Sequence, residues 1–138
     1  MALKNQGLRI AKAFESSTWV PEEVGQIYVD LAVAFYSCGK GTEALPYCDK
    51  ALSIAMRFDY FNLEAQSCAA TGFARISMGN HSQAIEWLER AMTLGFSDID
   101  FVVALADAYQ VWLRMFKRMR APFSTFNETT HHARLSPK

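Results

Sequence analysis

The sequence predicts an all-α fold built as a stack of antiparallel helix pairs, and three observations predict it. Apolar residues recur three and four positions apart through almost every segment between Pro21 and Arg120, the spacing of one helix face. Glycines divide that pattern: Gly39 and Gly79 each cut a long periodic stretch in two. The chain also repeats itself. "SCGKGTEALPYCDKAL" from Ser37 returns as "SMGNHSQAIEWLERAM" from Ser77, with Gly39 and Gly79, Ala44 and Ala84, and Ala51 and Ala91 in step. A period of a few tens of residues marks units that bury their apolar faces only by stacking. No segment reads as a strand.

The elements follow in order. Leu3, Ile10, Ala11 and Phe14 suggest an N-terminal helix interrupted by Gly7. Pro21 opens the next, with Thr18 as a candidate cap and Glu22 and Glu23 suited to the positive helix end. Val24, Ile27, Tyr28, Leu31, Ala32 and Phe35 form its stripe, and Gly39 ends it. A third helix starts at Thr42 as cap, with Pro46 in or near its first turn and Leu45, Cys48, Ala51, Leu52 and Ala55 on one face. A second pair runs from about Phe61 to Met78 and from about Ser82, again a candidate cap, to Leu94. The last helix, about Asp98 to Arg120, carries Val102, Leu105, Ala106, Tyr109, Trp112, Leu113 and Phe116, and Pro122 is expected to stop it. The expected organisation is one helical domain over 1–122 (repeats at about 21–58 and 61–96, a capping helix at about 98–120) and a flexible tail over 123–138.

Composition narrows function. With 138 residues, 51% of them hydrophobic and 20% charged, the chain can bury one sizeable core. Fourteen Lys plus Arg balance fourteen Asp plus Glu, so no overall basic field points to nucleic acid. Charge is uneven only locally: Asp98, Asp100 and Asp107 precede a basic patch of Arg114, Lys117, Arg118 and Arg120. That patch suits the negative end of a helix dipole, with nucleic-acid binding as its alternative. Three cysteines without CxxC spacing read as reduced, buried thiols, with Cys38 and Cys48 facing each other across the first hairpin. Lys4, Arg9 and Lys12 break up the opening segment, and no apolar run approaches the roughly 20 residues a membrane span needs. A soluble, cytoplasmic protein with no membrane partner is the expectation. His131 and His132 are adjacent, not at the spacing of a helical ligand pair, and no nucleophile, base and orienting group can be brought together. The chain therefore reads as no enzyme, with no metal and no cofactor.

"LAVAFYSCGKGTEALPYCDKALSIA" resembles a tetratricopeptide repeat, a family in which a small residue, an aromatic, a glycine and two alanines recur. Those places fall on Ala32, Phe35, Gly39, Ala44 and Ala51, and in the second pair on Gly72, Arg75, Gly79, Ala84 and Ala91. "VALADAYQVWL" supplies Ala106 and Tyr109 and resembles a half repeat that caps the stack, giving about two and a half repeats of an α-solenoid. The spacing from Gly39 to Gly79 is 40, longer than the roughly 34 residues usual in the family. Arg75, standing where an aromatic is expected, either weakens the inner packing of the second repeat or reaches toward a partner acid, and is counted with the groove. The resemblance implies a concave face lined by the first helix of each pair: Gln26, Val29, Val33 and Tyr36, then Gln66, Ala69, Phe73 and Ile76, then Val103, Asp107 and Gln110. It further implies a protein-interaction module, an adaptor or small chaperone holding an apolar peptide or helix of another protein. The other reading is a structural subunit in an assembly of its own or other chains, since so short an array invites self-association.

Overall fold

A computed structural model describes the backbone of residues 2–14 and 17–135 and the side chains of 5–14 and 17–119. Its elements are α1 (Ala2–Ala13), α2 (Glu22–Ser37), α3 (Gly41–Phe58), α4 (Phe61–Ser77), α5 (His81–Thr93) and α6 (Ile99–Leu135), with no strand among the described residues. The expected all-α stack of antiparallel pairs is what the chain forms. Leu3, assigned to the first helix face, lies outside the described side chains.

Glycine sets the turns. Gly39 and Gly79 both sit at φ 78°, a left-handed conformation that costs glycine nothing. The turns carry matching hydrogen bonds: the Lys40 N–H donates to the Phe35 carbonyl, and the Asn80 N–H to the Arg75 carbonyl. Asp59 takes the same conformation at φ 58° between α3 and α4, so that helix pair follows helix pair through a two-residue connection. The Tyr60 hydroxyl then ties the junction to the Val20 carbonyl at 2.7 Å.

The capping expectations need correction. Pro21, Lys40 and Asn80 flank the starts of α2, α3 and α5, and none of them accepts a capping hydrogen bond through its side chain. Thr42 and Ser82 stand two residues too deep, at the second helical position, and Thr18 lies well before α2. Pro46 is the sixth residue of α3, beyond the first turn; its missing N–H leaves the Thr42 carbonyl without its helical donor, at a position open to water. At α6 the expectation of a start near Asp98 holds, and the Asp98 carboxylate accepts from the Asp100 N–H at 3.2 Å. Pro122 does not stop that helix. The backbone stays helical to Leu135, so the tail expected over 123–138 is helix as far as 135, and 136–138 lie outside the described residues. A proline inside a helix removes one hydrogen bond and bends the axis, a penalty that the turns on either side can outweigh.

Two apolar clusters make the core, and α4 belongs to both. Leu63, Ala70 and Ala74 face α2 and α3 with Tyr28, Ala32, Ala44 and Cys48; Cys68 and Ala69 join Leu88, Phe101 and Leu105 on the other side. Buried all round, α4 still carries Ser67 and Thr71, whose hydroxyls donate to the Leu63 and Ser67 carbonyls one turn back at 2.7 and 2.8 Å. Small residues let the helices close up. A Cβ on Gly25 would run into Leu63, and one on Gly72 into Leu88. No helix among the described residues is long and apolar enough to cross a membrane.

Candidate functional site

The first helices of the pairs, α2 and α4, line one side of the stack together with α6, and two shallow hollows open there. The first, about 220 Å³, lies between α2 and α4 and gathers Gln26, Val29, Val33, Tyr36, Gln66, Ala69 and Phe73. Asp30, Ala70 and Phe96 complete it. The second, about 230 Å³, lies between α4 and α6, lined by Phe73, Ile76, His81, Ala104, Asp107, Ala108 and Val111. Phe73 forms the wall between them. Its ring stacks on Tyr36 at 5.7 Å and meets the edge of Phe101 at 6.3 Å, and Phe101 is held in turn by Phe96 at 5.0 Å. The lining is therefore mainly aromatic and aliphatic, with Gln26, Asp30, Gln66, His81 and Asp107 among its polar groups.

All eight residues expected on α2 and α4, and one of the three expected on α6, fall in these hollows. The α6 residues are displaced: Val103 and Gln110 line neither hollow, whereas Ala104 and Val111 do. The cause is register. The face of α6 buried against the stack is Phe101, Leu105, Ala108 and Trp112, matching Leu63, Ser67, Ala70 and Ala74 of α4 at a shift of 38 residues (101 less 63). Aligning Ala106 with Gly72 instead gives a shift of 34, one helical turn out. The signal was present in the sequence as the four-point apolar pattern 101, 105, 108, 112. Phe96 and His81 come from the connection after α5 and from its first residue, which no helix pattern marks.

Arg75 lines neither hollow. Standing two residues beyond Phe73, it points about 200° around α4 from it. Its Nε is buried with no hydrogen-bond partner among the described residues. In the first repeat the corresponding Phe35 stacks flat on Tyr47 of α3 at 5.4 Å.

A family model described as Tetratricopeptide repeat matches residues 23–94, which span α2 to α5. The chain belongs to the tetratricopeptide repeat family. No curated protein and no solved structure matches it. Tetratricopeptide repeats are non-catalytic protein-interaction units, and the two hollows lie on the face where the first helices of successive repeats meet.

Other features of this tetratricopeptide array fit less well with a site. A further cavity, about 450 Å³, lies away from the groove, where α1 rests on α2 and, among the described residues, does not pack on α3. Apolar Phe14, Val20, Val24 and Ile54 line it with Lys50 and Arg57 of α3. Arg114, Lys117 and Arg118 are exposed on α6, and the Arg120 side chain lies outside the described residues. Cys48 and Cys68 are buried free thiols as expected, but Cys38 is exposed at the end of α2, so the pair does not face across the hairpin. Burial pushes the Cys48 thiol up to about 11, with the hydrogen bond to Thr71 opposing the rise and Asp49 adding to it. Burial likewise raises the Tyr36 hydroxyl to about 12, helped by Cys48. At neutral pH the groove thus presents Tyr36 as an uncharged hydrogen-bonding group. No group of three or more metal-ligating side chains occurs among the described residues.

Proposed function

We propose that this chain is an adaptor or small chaperone that holds an apolar segment of another protein across the two hollows on α2, α4 and α6. The observation that carries the reading is the pair of adjoining, mainly apolar hollows sharing Phe73, with Val33 lining the first and Ile76 the second. A partner offering two apolar side chains in succession would place one in each hollow, with its backbone near Gln26, Gln66 and Asp107. A carboxylate-gripping mode has no support, because Val29 and Val33 stand where cationic or amide side chains would be needed.

The test uses the partner recovered with the native chain and reads binding by titration against Val33→Glu, whose side chain is exposed at the first hollow. Binding should weaken at least tenfold, about 1.4 kcal/mol or more, while helicity and unfolding midpoint stay put. Unchanged affinity would place the ligand elsewhere. Phe73→Glu is a poorer probe, since Phe73 also supports Phe101 and its loss would loosen α6.

A further inference from the structure

The shift of 38 that sets the groove register of α6 also says what its opposite face corresponds to. On α4 the residues Cys68 and Gly72 stand toward α5, with Gly72 directly against Leu88. The matching positions on α6 are Ala106 and Gln110. Here nothing among the described residues covers the face: α6 packs only on α5 and α4, and it continues as helix to Leu135 without turning back. Ile99 is 78% exposed, Val102 50%, Val103 54% and Leu113 44%. These four, with Ala106 between them, make an apolar stripe at helical spacing on the side away from the core.

One edge of that stripe carries charge in a definite order. Asp100, Asp107, Arg114 and Arg118 lie within about 40° of one another around the helix axis, acids first and bases after. Such an order is complementary to itself reversed. When two copies of a helix pair antiparallel about a twofold axis, the same edge of each meets, so that Asp100 and Asp107 of one copy lie along Arg118 and Arg114 of the other. Centred near Tyr109 and Gln110, this pairing sets Val102 and Val103 against the stem of Lys117 and against Phe116 of the second helix, and Ala106 near Leu113. A parallel pairing would carry the two charged edges to opposite sides, where they could not meet.

We propose that α6 is a self-association helix: two copies of this chain pair antiparallel through the Ile99–Leu113 stripe, each filling on the other the place that α5 fills on α4. Apolar burial supplies the attraction and the acid-to-base order supplies the direction. The inference does not depend on what the groove holds.

Sedimentation equilibrium of the full chain at tens of micromolar tests it. Wild type should run at twice the monomer mass, and Val103→Glu/Leu113→Glu, both at exposed positions, should run as a helical monomer. Two charge-reversed chains, Asp100→Arg/Asp107→Arg and Arg114→Asp/Arg118→Asp, should each self-associate at least tenfold more weakly than wild type. Mixed in equal amounts, they should form a one-to-one dimer, because each now supplies the charge the other lacks. A monomeric wild type, a dimer that survives Val103→Glu/Leu113→Glu, or a mixture that stays monomeric would each overturn the proposal.

Discussion

The two junctions of the array, α2–α3 onto α4 and α4–α5 onto α6, are built from matching positions and packed differently. At the first, Gly25 gives way to Leu63, and Gly41 brings the start of α3 against the Ala74 carbonyl and Ser77 at the end of α4. At the second, Ala65 and His81 replace those glycines forty residues on (65 less 25, 81 less 41). His81 becomes part of a hollow. The second junction therefore lacks both glycines whose missing Cβ lets the first close up. Each junction carries one of the two hollows, and at the second α6 is held by Phe101, Leu105, Ala108 and Trp112.

The largest effect that would sharpen this contrast is at the two anchoring side chains. Leu63→Ala should cost about 3–4 kcal/mol of global stability in denaturant unfolding, because Leu63 is fully enclosed between α2 and α4. Phe101→Ala should cost about as much, yet hydrogen exchange should rise in α6 alone while α2 to α4 keep their protection. Uniform loss of protection in both variants would break the distinction. Next come the seam residues: Gly41→Ala should destabilise by about 1–3 kcal/mol, since the new Cβ meets a backbone carbonyl that cannot swing aside. His81→Ala, at the matching place, should change stability by less than about 0.5 kcal/mol.

The smallest effect concerns pH. Cys48 lies in the first junction, and its folded thiol is raised above the ordinary value of 9.0 to about 11. The folded state therefore holds this proton more tightly than the unfolded chain does. The contribution is fully present below about pH 9 and is lost as pH rises toward about 11, by up to roughly 2 kcal/mol. Unfolding midpoints measured from pH 8 to 11 should fall more steeply in wild type than in Cys48→Ala, and equal slopes would show that Cys48 is not the group responsible.

Most of the groove on α2 and α4 was legible in the sequence because matched glycines and alanines bracket both repeats and leave little freedom of register. On α6 that bracket is missing. A slip of four residues rotates a helix face by only about 40°, so apolar periodicity alone fits Ala106 against Gly72 nearly as well as it fits Gln110 there. Phe101, seated by Phe96 and Phe73, decides the matter, and neither ring can be paired with it from spacing. Arg75 shows a related limit: its departure from the repeat pattern was visible, but the burial of its Nε was not.

What the sequence determined by itself is local: the order of helices, the glycine turns at 39 and 79, and the small residues where helices close up, since each depends on backbone geometry within a few positions. The tertiary structure alone decided how α6 is registered and which of its faces is covered. Those outcomes are set by competition between helix faces of similar apolar content, and only the packed neighbours break the tie.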